Sequence, residues 1–292
     1  MTDSIRPWVM GARPRTLPAA VAPILAGTAV AAVAGTVRPL LAVLCLVVAL
    51  ALQVGVNYAN DYSDGVRGTD DDRVGPTRLV ASGLASPRAV KAAAFLSFGA
   101  AGLAGLAIVV LIGQWWLLLL GLACILAGWF YTGGSKPYGY LGLGEIFVFV
   151  FFGLVATVGT GYVQTLSAPA HSWLGGAAVG ALASAILVAN NLRDIPTDTL
   201  SGKRTLAVRL GDRGTRTLFA GLCALSAAAV LGFAALTTWW ALLGLLGCAL
   251  LLGPLRIVLG GATGRGLIPV IQATGFAEIG IGLGLLAGAL IA

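Results

Sequence analysis

Residues 40–64 read LLAVLCLVVALALQVGVNYANDYSD, an apolar run that closes on an Asn–Asp cluster. A helix needs roughly 20 apolar residues to cross about 30 Å of hydrocarbon, and this run supplies them. Carboxylates are costly in that medium, so acidic groups packed at the end of a spanning segment need a specific reason to be there. The pattern recurs: a second apolar run closes on NNLRDIPTD at 190–198.

The whole chain has the same character. Its 292 residues are 58% hydrophobic and only 10% charged, and the mean hydropathy is +0.95. No soluble core needs that composition, so the fold class read here is all-α and polytopic, a single transmembrane domain over 1–292. A short basic head precedes the first apolar run and many more runs follow, which argues against a cleaved leader. The 42 glycines suit close helix–helix contact in lipid. Cys45, Cys124, Cys223 and Cys248 sit inside apolar runs without CxxC spacing, so they read as packing residues.

The sequence predicts nine spans, at 17–36, 40–61, 89–112, 115–133, 143–163, 173–192, 215–235, 239–257 and 267–290. Of the 18 Lys and Arg, only Arg38 falls on the face opposite the rest. Cationic residues stay on the cytoplasmic side during insertion, so the N-terminus and both Asp clusters are expected inside, with 63–88, 134–142 and 193–213 as cytoplasmic cap loops. Trp115-Trp116, Trp173 and Trp239-Trp240 mark the opposite interface. The formal charge of +7 is thus spent on topology, and no nucleic-acid partner is expected.

On a helix, residues three, four and seven apart share a face. Asn57, Asp61 and Asp64 therefore form one polar stripe, with Asn60 alongside; Asn191, Asp194 and Asp198 have closely similar spacing, with Asn190 before them. Pro196 is expected to end the second helix early and leave Asp198 on a loop. Thr77-Arg78-Leu79 and Thr205-Leu206 follow the two clusters, a weak internal repeat. Hard divalent cations want oxygen ligands, and Mg²⁺ is commonly held by one or two carboxylates plus substrate phosphates. Two facing clusters suit a diphosphate bridged by two metal ions, with Arg67, Arg73, Arg78, Lys136, Lys203 and Arg204 available to neutralise the remainder. Asp71 and Asp72 read as part of a solvated loop.

These residues resemble a known family. NDYSD at 60–64, followed by Thr77-Arg78-Leu79 and Ser82-Gly83, with Asp194 and Asp198 later, is similar to the UbiA superfamily of intramembrane aromatic prenyltransferases. Within it, RPRTLP at 13–18, YTGGSKP at 131–137, GLGE at 142–145 and GKRTL at 202–206 resemble the branch that acts on 1,4-dihydroxy-2-naphthoate. The resemblance implies a nine-helix bundle in the bacterial cytoplasmic membrane with its active site toward the cytoplasm. It also implies Mg²⁺-dependent transfer of a polyprenyl chain from its diphosphate to the naphthoate ring. The carboxyl group leaves as CO₂, giving demethylmenaquinol. Gly68 stands where the superfamily has its third acidic residue, so Asp70 is taken as that ligand.

By the same resemblance Asp61, Asp64, Asp194 and Asp198 hold the metals, with Asn57, Asn60, Asn191 and Asp70 as supporting or direct ligands. Arg67, Arg78, Lys136 and Lys203 bind diphosphate oxygens, Tyr131 stacks on the cation or bonds to diphosphate, and Arg13 or Arg15 orients the acceptor carboxylate. Glu145, at the start of the fifth span, touches substrate or pairs with a loop cation. Glu278 lies in the middle of the ninth span and is read as a protonated structural residue bonded to a neighbouring helix; an intramembrane ionisable group is otherwise a functional candidate. His171 receives no role. The alternatives are a relative with another acceptor (4-hydroxybenzoate, homogentisate or haem) and a secondary transporter. Transporter sites, however, lie near the bilayer midplane, whereas these clusters end their helices on one face.

Overall fold

Prolines open and glycines close two of the long helices. Pro39 starts a 29-residue helix that runs to Arg67, where Gly68 takes a left-handed conformation (φ 70°). Proline's fixed φ suits a first turn and glycine accepts the positive φ of a C-terminal cap. A computed structural model describes residues 5–68 and 78–292, and their regular structure is helical throughout. In chain order the α-helices are α1 (Arg6–Ala12), α2 (Pro18–Val33), α3 (Pro39–Arg67), α4 (Pro87–Ile112), α5 (Leu117–Phe130) and α6 (Gly144–Val148). They continue with α7 (Ala156–Thr165), α8 (Ala170–Leu200), α9 (Leu206–Leu236), α10 (Leu245–Ala249), α11 (Leu252–Leu259) and α12 (Ile268–Ile291). A π-helical stretch, Phe149–Val155, joins α6 to α7 as one segment, Gly144–Thr165.

Among the described residues, six segments are long and apolar enough to cross a bilayer. Two bent pairs, Arg6–Thr16 with Pro18–Val33 (50°) and Trp239–Ala249 with Leu252–Leu259 (42°), raise the number to eight if each is one span. The segment expected at 115–133 holds only the 14-residue α5. At 1.5 Å per residue α5 is about 21 Å long, short of the hydrocarbon thickness. The molecule is an all-helical, multi-pass membrane protein.

Two expectations about the second cluster are corrected. Helix α8 continues through Pro196 to Leu200, so Asp198 is helical rather than on a loop. Proline there forfeits one hydrogen bond, to the carbonyl of Leu192, which the flanking turns tolerate. Between α8 and α9 only 201–205 is non-helical, far less than the 193–213 loop expected. Helix α9 then starts on Thr205, whose hydroxyl accepts from Val208 N (3.4 Å).

Helix α8 is the central post, with 78% of its apolar window buried inside the protein. One core packs it against α2, α9 and α12 through Leu182, Phe219, Phe233, Val270 and Ile281. A smaller core joins α3 to α4 and the N-terminal segment through Tyr58, Leu79, Val90 and Phe98. Backbones approach closely where the π-helical stretch crosses α8: a Cβ on Gly153 would lie 2.5 Å from Gly180 Cα and 2.7 Å from Gly176 O. Neither obstacle is a flexible side-chain end, so Gly153→Val is expected to lose folded protein, a cost of roughly 3 kcal/mol or more from overpacking. The yield of monodisperse protein in detergent checks this.

Glu278 is fully buried on α12, three residues after Gly275, which meets Pro18, and four before Gly282, which meets Ala22 O. Its face is therefore turned to α2. The expected bond to a neighbouring helix is not made: neither carboxyl oxygen has a partner among the described residues. His171 packs edge-on against Phe233 (centroids 5.6 Å apart), and the four cysteines are free.

Candidate active site

Helices α3 and α8 bring their two polar ends side by side, and a pocket forms between them. This small pocket, about 70 Å³, is lined by Asp64, Asn60, Asn190, Asn191 and Asp198 from the two helices. Arg13, Arg78, Tyr131, Thr132, Gly139, Tyr140, Lys203 and Thr205 complete it. Next to it lies a cavity of about 630 Å³, largely apolar, bordered by α3, α5, the 144–165 segment, α8 and α12. Arg13, Asn60, Arg78, Tyr131 and Asn190 line both. Five shared residues make the two spaces one site with a polar head and an apolar body.

The carboxylates expected to act together divide into two kinds. Asp64 is 3% exposed and receives the Tyr140 hydroxyl, with Lys203 Nζ at 3.6 Å and Arg78 at 3.9 Å. Asp198 borders the same pocket. Asp61 is fully buried and faces backbone instead, since its two oxygens accept from Leu79 N (2.9 Å) and Val80 N (3.0 Å). Those bonds seat the segment carrying Arg78 against α3. Asp194 forms a two-bonded pair with its neighbour Arg193 (2.7 and 2.8 Å). Neither Asp61 nor Asp194 lines either space. Asp70, with Asp71, Asp72, Arg73 and Thr77, lies outside the described residues.

The amides are oriented by their partners. Thr132 Oγ1 donates to Asn60 Oδ1 (2.8 Å). Asn191 Nδ2 donates to Glu145 Oε1 (2.9 Å), which fixes the orientation of the Asn191 amide. Asn57 donates to Ala12 O (2.8 Å) and Thr16 Oγ1 (3.0 Å), tying the N-terminal segment to α3. That segment holds Arg13 at φ 53°, a left-handed conformation costly for a non-glycine residue. Arg13 and Arg15 both border the large cavity.

The expected cations also separate. Lys203 stands 4.7 Å from the centroid of the Tyr140 ring, and it and Arg78 belong to the small pocket. Arg67 instead donates to the carbonyls of Thr132 and Gly134 and leans on Tyr140 (5.6 Å), bracing the segment between α5 and α6. Lys136 is exposed and lines neither space. Tyr131 joins Tyr138 (5.5 Å), Phe147 (4.0 Å from Tyr138) and Phe151 (5.9 Å from Phe147) in an aromatic row along the cavity. Burial pushes the Tyr138 phenol up, and its hydroxyl donates to Ala127 O. Sequence reasoning missed Tyr140, Thr132 and Gln53. Gln53 carried a signal, four residues before Asn57 on the same stripe, and Thr132 lay inside the YTGGSKP segment.

The donor set fits a hard divalent cation. Among the described residues no three of His, Cys, Asp and Glu converge, but two carboxylates with amide oxygens is what Mg²⁺ needs when a phosphate supplies the rest. The small pocket thus pairs oxygen ligands with Lys203 and Arg78, the composition of a metal–diphosphate site, and the adjoining apolar body suits a lipid chain.

Residues 20–264 match the UbiA prenyltransferase family, and the chain belongs to it. It is 54% identical over 280 residues to the 1,4-dihydroxy-2-naphthoate octaprenyltransferase of Mycobacterium tuberculosis (strain ATCC 25618 / H37Rv), covering 94% of each chain. The Escherichia coli (strain K12) protein of the same name is 39% identical, with 91% of this chain and 89% of that one covered. Among solved structures, a UbiA homologue from Archaeoglobus fulgidus bound to GPP and Mg²⁺ shares the fold with a TM-score of 0.69 at 16% identity, over 96% of this chain and 99% of that one. The apo UbiA homologue from Aeropyrum pernix K1 gives 0.72 at 15% identity, over 92% and 97%. Family membership sets the transporter reading aside.

Proposed function

We propose that the protein transfers a polyprenyl chain from its diphosphate to 1,4-dihydroxy-2-naphthoate in the cytoplasmic membrane, forming demethylmenaquinol for menaquinone synthesis. The observation that carries this reading is the polar pocket sharing five lining residues with a large apolar cavity. It is supported by the near full-length likeness to proteins named for that reaction. The near one-sided distribution of Lys and Arg supports nine spans, a cytoplasmic N-terminus and a site opening to the cytoplasm.

Lys203 and Arg78 take the diphosphate oxygens, and Tyr140 holds Asp64 in place. Asp64 and Asp198, with the amide oxygens of Asn60 and Asn191, are the residues that would hold Mg²⁺, two ions by the resemblance; Asp194, one turn from Asp198, joins them on release from Arg193. Bound metal supplies neutralisation of the charge that develops on the leaving diphosphate. The C1–O bond of the allylic diphosphate breaks heterolytically, and the cation that remains is flanked by Tyr131 and the aromatic row, whose ring faces favour positive charge. Apolar walls keep water from trapping it. The ring carbon bearing the carboxylate attacks C1; the new C–C bond forms, the carboxyl leaves as CO₂, and its electron pair restores the aromatic ring. Arg13 or Arg15, both bordering the cavity, orients that carboxylate. The rest of the chain lies along the cavity toward lipid.

Purified protein in detergent or lipid is expected to incorporate labelled polyprenyl diphosphate into a lipid-soluble quinol only with naphthoate present, and to stop on metal chelation. Restoration by Mg²⁺ completes the expected pattern. Incorporation that prefers 4-hydroxybenzoate or homogentisate would replace the acceptor, and incorporation indifferent to chelation would remove the metal.

A further inference from the structure

On the wall where the N-terminal segment meets α3, counting donors and acceptors leaves one acceptor over. Thr16 Oγ1 donates its single proton to Arg13 O (2.9 Å), so toward Gln53 and Asn57 it only accepts. Asn57 Nδ2 uses its two protons on Ala12 O (2.8 Å) and Thr16 Oγ1 (3.0 Å), which fixes its Oδ1 as the acceptor facing Gln53. Gln53 Nε2 then donates to Thr16 Oγ1 (3.0 Å) and Asn57 Oδ1 (3.4 Å). The two carbonyls at the end of the chain cannot donate, so neither amide can be turned over without opposing like groups. Gln53 Oε1 is left without a partner among the described residues, on a side chain that is 7% exposed and borders the large cavity. Arg13 and Arg15 border the same cavity.

A buried amide oxygen, on a side chain that borders the cavity and in a network that spends all its own protons, is built to receive a proton from a ligand. The acceptor of the reaction proposed above offers two ring hydroxyls. The 1-hydroxyl is ortho to the carboxylate and donates to it internally, as ortho-hydroxy carboxylates do; the 4-hydroxyl keeps a free proton. We propose that Gln53 is a specificity-determining residue whose Oε1 accepts the 4-hydroxyl proton of the naphthoate. The inference rests on that proposed acceptor. It places the ring between Gln53 at its hydroxyl edge and the arginines at its carboxylate edge, and it selects against aromatic acids that lack the second hydroxyl.

The test compares the acceptor with 1-hydroxy-2-naphthoate, which lacks only the 4-hydroxyl, used as a competitive inhibitor. Wild-type enzyme is expected to bind the inhibitor at least tenfold more weakly than the acceptor, the size of one hydrogen bond to a committed polar group. Gln53→Met should raise the acceptor KM roughly tenfold, leave the inhibition constant within about threefold and leave the diphosphate KM unchanged. That split reads the 4-hydroxyl alone, since general damage to the wall would move both aromatic ligands together. An acceptor KM that does not move, or an inhibition constant that rises in step with it, overturns the inference. Equal wild-type affinity for the two compounds overturns it without any variant. Failure of the wild-type enzyme to prenylate naphthoate at all is the different result that overturns the underlying function.

Discussion

Asp64→Ala is expected to lower kcat by roughly 10³ or more while diphosphate binding is kept or strengthened. Asp64 is buried within reach of Lys203 and Arg78, so removing it takes one carboxylate away from those cations. They remain able to grip a diphosphate, and the pocket becomes more positive. What is lost is the oxygen ligand for the metal, an interaction that matters as the leaving group gains charge, so the deficit falls on kcat and not on KM. Asp64→Asn keeps the shape and should fail as badly. Raising Mg²⁺ should recover part of the Asn variant's rate and none of the Ala variant's. The measurement is initial rate against Mg²⁺ alongside equilibrium binding of the diphosphate. Full kcat in either variant would take Asp64 out of the metal site. Asp61→Ala makes the contrast: its oxygens hold backbone N–H groups, so the expected signature is a lower Tm and a weaker diphosphate KM as Arg78 loosens.

The helical, membrane-spanning character was readable because apolar runs and cationic loops report on insertion directly. The Asn–Asp stripes were readable for a related reason: period puts Asn57, Asp61 and Asp64 on one face, with Asn60 alongside, and Asn191, Asp194 and Asp198 on one face of another helix. Periodicity assigns a face but not a partner, which is why Asp61 and Asp64, three apart, look equivalent in sequence. Only the fold shows that the Leu79–Val80 backbone caps one and the Tyr140 hydroxyl meets the other. Lys136 and Arg67 illustrate the same gap. A basic residue in a loop near the site is evident from sequence, but whether it turns inward depends on turns at glycines such as Gly134 and Gly142, whose positive φ re-aims the chain. Pro196 misled because proline's penalty, a lost bond and a ring clash with the Leu192 carbonyl worth about 3 kcal/mol, is outweighed by the packing that holds α8 along its length. Tyr140 was invisible: an aromatic residue in a glycine-rich turn has no period to betray it.

Asp194→Ala is expected to cost about 3–5 kcal/mol of stability, the penalty for leaving a buried guanidinium without its carboxylate. Arg193 is 7% exposed and Asp194 2%, and two charge-assisted bonds join them. Arg193 also borders the large cavity, so freeing it places an unneutralised charge against a space meant for hydrocarbon. Loss of activity in this variant would therefore be ambiguous, since a misfolded enzyme and a missing metal ligand look alike. The double variant Arg193→Met with Asp194→Leu resolves it. Replacing a buried ion pair by apolar residues of similar volume is often neutral or stabilising, so thermal inactivation in detergent should return close to wild type. Transfer should stay absent, because the double variant restores packing without restoring an oxygen one turn before Asp198. If instead the double variant regains transfer, Asp194 serves only to neutralise Arg193, and the metal is held by Asp64, Asp198 and the amides without it.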